Sequence, residues 1–160
     1  MLAVRVKSQD GSTESTYLVT VHRVSNIASL AALSCTGGAL VPVVGVAGAY
    51  SVSVPASTDR VSVTCPASSA LAQRSYAFTP GAASVDLSIL RWKALSASFI
   101  PDSDLPLPEG DSVLVIRVVA EDRATASHTT IRMHRRSAEA RLASRSPPGA
   151  WRPCWPSIPT

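Results

Sequence analysis

The residue types that most readily do chemistry here are serine, three histidines and eleven acidic side chains. Together they supply the components of a Ser-His-Asp hydrolase. The nucleophile of many such enzymes lies in a Gly-x-Ser-x-Gly turn, and the chain contains no such turn. His22 and His134 fall at positions where alternation of apolar and polar residues predicts solvent-facing strand residues. We therefore expect surface histidines, no catalytic residues and no enzyme activity.

Metal and cofactor chemistry finds little support in the cysteines. There are three, too few for a disulfide framework, and no pair has the Cys-x-x-Cys spacing of a zinc site. Cys35 and Cys65 share strand parity with apolar neighbours, so both sulfurs are predicted to point inward. We expect no bound metal and no cofactor.

Charge argues against nucleic acid as a partner. The net charge of +4 is carried by the C-terminal end, where residues 131–160 hold six arginines against the single acidic Glu139. Residues 1–130 carry nine basic and ten acidic side chains. No aromatic residue is interleaved with a basic surface in that part, as nucleic-acid binding would require. The basicity is therefore attributed to an Arg/Pro-rich tail.

No stretch predicts a signal peptide or a membrane span. The start, M-L-A-V-R-V-K-S-Q-D, lacks an apolar core of about 7–15 residues. The longest apolar run, residues 39–50, is interrupted by Pro42, Gly45 and Gly48 and falls short of the roughly 20 residues that a membrane helix needs.

His22 and His134 lie at equivalent positions of a sequence segment that occurs twice. Residues 4–23 match residues 116–135 at an offset of 112, with seven of twenty positions identical. The identical pairs are Arg5/Arg117, Val6/Val118, Asp10/Asp122, Thr13/Thr125, Ser15/Ser127, His22/His134 and Arg23/Arg135. Since this spacing is well above the solenoid periods of about 20–50 residues, it indicates an array of whole domains.

Each copy reads as a β-hairpin. In the first, period-2 alternation flanks an Asp-Gly turn and places Val4, Val6, Tyr17, Val19 and Val21 on one face. A lone hairpin is marginal in water, so this one should pair with a sheet edge or stay poorly ordered. The second copy is predicted to supply the last two strands of a domain. Its predicted core residues are Leu114, Ile116, Val118, Ile131 and Met133.

Between the copies, further short strands are predicted over residues 50–54, 61–65, 74–78 and 85–90, with shorter strands between residues 27 and 41. Residues 92–100 are ambiguous and 101–108 read as a loop. The pattern predicts an all-β, antiparallel sandwich of about seven strands over residues 26–136. Residues 1–25 would then be the closing hairpin of a preceding repeat, and residues 137–160 a disordered tail.

Several motifs resemble the cadherin-like β-sandwich repeat. They are L-A-A-L-S-C-T-G-G-A-L-V-P, Y-S-V-S-V-P, R-V-S-V-T-C-P-A, L-P-E-G-D-S-V-L-V-I-R-V-V-A-E-D and T-I-R-M-H-R, in the family's order. The resemblance implies a Greek-key, immunoglobulin-like sandwich in a tandem array at the cell surface or outside the cell. Two positions depart from the family: Arg123 replaces a turn glycine, and Thr129 stands where the first copy has the aromatic Tyr17.

By this resemblance the chain is a non-catalytic structural or adhesive module, whose partners are neighbouring repeats and, beyond them, glycans or surface proteins. The alternative is an accessory carbohydrate- or protein-binding domain of a larger secreted enzyme, such as a polysaccharide hydrolase. An exposed Trp92 would suit sugar stacking, but half-buried packing is expected. An extracellular setting also leaves open whether Cys35 and Cys65 form a disulfide or remain two buried thiols.

The family also suggests a calcium site, because related folds hold the ion between domains through oxygen ligands. The acidic residues available for it are Asp102, Asp104, Glu109, Asp111, Glu121 and Asp122. The acidic signatures of calcium-dependent members are absent, so ordinary acidic loops and no metal are expected.

Overall fold

The computed structural model describes residues 2–138, and this part of the chain is an all-β sandwich preceded by a separate hairpin. The strands are β1 (Leu2–Lys7), β2 (Glu14–Val19), β3 (Ser34–Cys35), β4 (Val41–Pro42), β5 (Ala49–Val54), β6 (Val63–Thr64), β7 (Gln73–Pro80), β8 (Lys93–Leu95), β9 (Phe99–Ile100), β10 (Gly110–Val119) and β11 (Ala126–Arg135). Two 3-10 turns, Leu87–Ile89 and Asp102–Asp104, are the only helical elements among the described residues.

β1 and β2, the first hairpin, pair with each other as a two-stranded antiparallel sheet. The register sets Val4 opposite Tyr17 and Leu2 opposite Val19, which confirms the predicted hairpin and its apolar face. All residues of both strands are exposed. The first hairpin therefore forms as predicted but does not join the larger sheet.

The body of the protein, residues 26–136, consists of two sheets. The larger has the strand order β4-β5-β11-β10-β7-β8, and the smaller has the order β3-β6-β9. β10 and β11, the closing hairpin, lie at the centre of the larger sheet. All strand pairs of the larger sheet are antiparallel except one. β11 pairs in parallel with β5, over Thr130–Arg135 and Ala49–Val54. The Greek-key connection remains a prediction.

The core lies between the two sheets and is aliphatic, as the low aromatic content predicts. All five predicted core residues of the closing hairpin are at most 1% exposed. The smaller sheet and its flanking loops supply most of the opposing side chains, namely Val61, Val63, Cys65, Ile100, Leu105 and Leu107.

Two predicted strands differ in the structure. Residues 85–90 are not a strand, because the Asp86 carboxylate accepts hydrogen bonds from the Ser88 backbone N–H at 2.9 Å and its hydroxyl at 2.8 Å, which favours a turn. Residues 61–65 show the predicted alternation, with Val61, Val63 and Cys65 fully buried, but only Val63–Thr64 belong to the ladder.

No helix within residues 2–138 is long and apolar enough to cross a membrane. The tail predicted over residues 137–160 lies, from residue 139 onward, outside the described residues.

Candidate interaction surface and polar clusters

The turns of the two hairpins share the same backbone hydrogen bonds. Each closes with two backbone hydrogen bonds at equivalent positions, 112 residues apart. The pairs are Ser8 N–H to Thr13 C=O (2.9 Å) with Ala120 N–H to Thr125 C=O (2.8 Å), and Gly11 N–H to Ser8 C=O (2.9 Å) with Arg123 N–H to Ala120 C=O (3.0 Å). The strand registers coincide as well, since Lys7 pairs with Glu14 and Val119 with Ala126. The repeat in sequence is therefore also a repeat in structure.

An aspartate anchors each turn. Asp10 accepts from the Ser8 hydroxyl at 2.6 Å and the Ser12 N–H at 3.0 Å, and these bonds lower the pKa of its carboxyl to about 2. Asp122 accepts from the Thr125 N–H and hydroxyl and from the Ala124 N–H, and its pKa is lowered for the same reason. Both carboxylates thus stabilise the turns.

Arg123 occupies the position that holds Gly11 in the first copy. Its backbone φ is 58°, and that of Gly11 is 74°. The turn geometry is therefore kept despite the missing glycine. Arg123 is the only residue other than glycine with positive φ among residues 2–138, so the closing hairpin holds a locally strained turn.

The inner faces of the two hairpins differ in what covers them. In the closing hairpin this face packs on the smaller sheet, and Leu114, Ile116 and Val118 are 0% exposed. The equivalent residues of the first hairpin are exposed to 56% at Leu2, 42% at Val4 and 53% at Val6. Together with Tyr17 and Val19 they form an open apolar face, which we name the inner face of the first hairpin.

A groove of about 510 Å³ opens beside Thr129, at the point where the first copy has Tyr17. Thr129 lies opposite the buried Ile116, on the inward side of β11. The groove is lined by residues 28–33, among which only Leu30 and Leu33 are large, and by Ala47, Gly48, Tyr50, Ser127 and His128. It therefore marks the place that an aromatic ring would occupy in a repeat of the first type.

The segment that joins the first hairpin to the body is held by the turn of the closing hairpin. Glu121 Oε1 lies 2.5 Å from His22 Nε2, and Glu121 Oε2 accepts from the Ser25 N–H at 3.1 Å. The Asp122 N–H donates to the Ser25 C=O at 3.2 Å. The bond from Ser25, followed by the one from His22, lowers the pKa of Glu121. Glu121 thus fixes this segment, which we name the linker, to the turn of the closing hairpin.

A second cluster joins the larger sheet to the 3-10 turn Asp102–Asp104. The Tyr76 hydroxyl of β7 and the Lys93 ammonium of β8 both donate to Asp104 Oδ2, at 2.5 and 2.6 Å. Lys93 lowers the pKa of Asp104, while burial and the bond to Asp104 raise the pKa of Tyr76. Both side chains are thereby held to one carboxylate, so the cluster acts as a cross-link between β7, β8 and the turn. Sequence reasoning missed it, because residues 28 positions apart carry no local signal of contact.

The remaining acidic candidates are dispersed. Asp111 lies 2.7 Å from His134, and Glu109 accepts from the Ser137 hydroxyl at 3.1 Å. Within residues 2–138, no three His, Cys, Asp or Glu side chains are grouped so as to hold a metal ion. The structure therefore brings Asp102, Asp104, Glu109, Asp111, Glu121 and Asp122 into no common site.

His22 and His134 lie on the surface, with side chains 61% and 59% exposed. His22 contacts Glu121 at the turn of the closing hairpin, and His134 contacts Asp111 at the opposite end of its strands. Neither histidine has a serine hydroxyl as a hydrogen-bond partner within residues 2–138, as a Ser-His-Asp triad would require. Trp92 is half-buried as expected, with its ring 5.8 Å from that of His128 and 5.9 Å from the Arg117 guanidinium. Both contacts hold the ring against β10 and β11 of the larger sheet.

Cys35 and Cys65 both reach the core, as predicted, and both are free thiols in the structure. Cys35 lies opposite Val63 in the β3–β6 pair, so Cys65 is its diagonal neighbour. Burial raises the pKa of both thiols. Diagonal neighbours are about 7–8 Å apart between Cα atoms, which exceeds the usual span of a disulfide. A disulfide between them remains a prediction without support from this register.

The far end of β11 is fixed by Arg135. Its guanidinium donates to the Ala56 C=O at 2.8 and 3.3 Å and to the Leu107 C=O at 2.7 Å. The equivalent Arg23 is exposed and makes no hydrogen bond within residues 2–138. The first copy therefore has the arginine but not the loops that would accept from it.

Comparison with known proteins adds no relative. No protein-family model matches the chain, and no curated protein matches it. The likeness to cadherin-like repeats accordingly rests on the sequence motifs alone.

Proposed function

We propose that this protein is a non-catalytic structural module of a tandem-repeat protein at the cell surface or outside the cell, serving as a spacer or adhesive unit. The observation that carries the proposal is the double occurrence of one hairpin, with the same register and the same turn hydrogen bonds, 112 residues apart. A chain that holds two copies of a closing hairpin holds parts of two copies of one domain.

The polar clusters support a structural role. Asp122 holds a turn, Glu121 holds the linker, and Asp104 fixes its 3-10 turn to the larger sheet through Tyr76 and Lys93. Each carboxylate is engaged in holding parts of the fold together, and none faces a nucleophile or a second acid in a cleft. The neighbouring repeats of the same polypeptide are the proposed primary partners, with glycans or surface proteins as partners of an adhesive array.

Reading the full-length transcript on both sides of this segment tests the tandem organisation. We expect further hairpins with the Asp-anchored turn at a spacing of about 110 residues. A neighbouring domain with paired carboxylates would instead support the accessory domain of a secreted polysaccharide hydrolase. Finding neither would refute the tandem proposal.

Adhesion is tested separately with the whole chain, by binding to a glycan array and by sedimentation for self-association. Binding in either assay supports an adhesive unit. The Tyr17→Ala variant is the informative comparison, because Tyr17 is 59% exposed on the two-stranded sheet of the first hairpin, which lies outside the body. If the chain binds neither glycans nor itself, the proposed role narrows to that of a spacer.

A further inference from the structure

The inner face of the first hairpin has the composition of a buried surface. Its six positions carry Leu2, Val4, Val6, Ser15, Tyr17 and Val19. The equivalent positions of the closing hairpin carry Leu114, Ile116, Val118, Ser127, Thr129 and Ile131, and these face the core. Only three of the six residue types differ between the copies.

We propose that the inner face and both edges of the first hairpin form a docking surface for one kind of partner, a β-sandwich of this repeat type that lacks its own last two strands. The inference rests on the proposed tandem organisation and adds to it the identity of the covering surface. In the complex, β1 pairs antiparallel with a strand equivalent to β7, and β2 pairs in parallel with a strand equivalent to β5, as the closing hairpin does in the body.

The size of the inner face argues against a simple dimer as the alternative. Two strands of six residues cover roughly 20 by 10 Å, so two such faces packed together bury on the order of 400 Å². Stable interfaces bury about 1,200 Å² or more. Insertion between two strands of an incomplete sheet adds backbone pairing along both edges and packing against the opposite sheet, which face-to-face contact does not supply.

Arg23 gives a second and independent indication. Its equivalent, Arg135, donates three hydrogen bonds to the carbonyls of Ala56 and Leu107, in loops of the same sandwich. Arg23 has the same residue type at the same offset and no such carbonyls within residues 2–138. A sandwich of this repeat type seated on the first hairpin brings two equivalent loops to that guanidinium.

The test transplants the first hairpin into the body of the whole chain. The sequence of residues 2–19 replaces residues 114–131, which are the same length and span equivalent positions. We expect a cooperative thermal transition by circular dichroism, about 10–15 °C below that of the parent. The loss comes from smaller side chains at the buried positions 115, 116 and 131.

A second chimera keeps Val115, Ile116 and Ile131 and takes everything else from the first hairpin. It isolates the volume effect, and we expect its midpoint within about 5 °C of the parent. The matched control inserts residues 3–20 in place of residues 114–131. It has almost the same composition but is displaced by one position, which sends the apolar side chains to the outer face. We expect no cooperative transition from it.

The proposal is overturned if neither chimera unfolds cooperatively, or if the displaced control is as stable as the second chimera. Sedimentation of the parent chain adds a further check, because a compact dimer that Val4→Lys dissolves would identify a second copy as the occupant instead. A negative result in the glycan or adhesion assays leaves this inference standing, whereas failed chimeras overturn it without affecting the spacer role.

Discussion

Replacing Thr129 by tyrosine should stabilise the body, because the groove beside Thr129 is open where the first copy carries Tyr17. The ring would lie over the segment of residues 28–33, with its hydroxyl at the mouth of the 510 Å³ groove. About 100 Å² of newly buried apolar surface, roughly half of what a fully buried tyrosine contributes, is worth about 2.5 kcal/mol. Ordering the side chain costs about 1 kcal/mol. The net gain is about 1.5 kcal/mol.

The assay is thermal and urea unfolding of the whole chain. A gain of about 1.5 kcal/mol corresponds to a rise in melting temperature of about 5 °C for a body of this size. Thr129→Val is the matched control, because it keeps the volume and the strand preference without supplying a ring. Tyr17→Thr is the second control. It makes the converse change on the exposed first hairpin, and we expect it to leave the transition of the body unchanged.

The reasoning fails if Thr129→Tyr lowers the melting temperature, or if it raises it no more than Thr129→Val does. Either result would mean that the groove is not the place of a missing ring. The equivalence of the two hairpins would then end at the backbone and not extend to how their inner faces are covered.

Three further predictions concern the turns and the thiols. Arg123→Gly should raise the free energy of unfolding by about 0.5–1 kcal/mol. The gain from removing the steric cost of a side chain at φ 58° exceeds the loss from the greater chain entropy of glycine in the unfolded state. Arg123→Ala keeps a side chain at this backbone angle and should change the stability little. The pKa of Asp122 is lowered from its ordinary value of 3.8, so the hydrogen bonds to its carboxylate contribute their full stability above pH 3.8 and lose it as the pH falls below that value. The difference in stability between the parent and Asp122→Asn should therefore disappear in acid. Alkylation without reductant, after unfolding, should label both Cys35 and Cys65; mass spectrometry showing neither labelled would reveal the disulfide.

The sequence alone predicted the parts of the fold that rest on alternation. The hairpins, their inner faces and the five core residues of the closing hairpin follow from period-2 patterns, because burial of one face of a strand fixes the parity of its side chains. The turn at Asp10 follows from local chemistry in the same way.

What the sequence did not predict depends on contacts between distant segments. Residues 85–90 have strand-forming side chains, but the bond from Ser88 to Asp86 decides the local structure. The Tyr76 cluster and the hydrogen bonds from Glu121 to the linker each join residues that lie far apart in the chain, so no local pattern reveals them. In the sequence, the groove at Thr129 was indicated only by a threonine at the position where the first copy has the aromatic Tyr17. Its volume could be measured only in the structure.

The parallel pair of β5 and β11 has a mechanical consequence. The linker is held at the turn of the closing hairpin, and the chain leaves the body at the opposite end, after Arg135. A pull along this axis loads the segment before β5, which is held to the body by the β3–β6 and β4–β5 pairs. It then acts along the six paired positions of β5 and β11, whose hydrogen bonds run across the direction of force. Because such bonds share the load, we expect them to break together rather than one at a time when the two ends of the body are pulled apart.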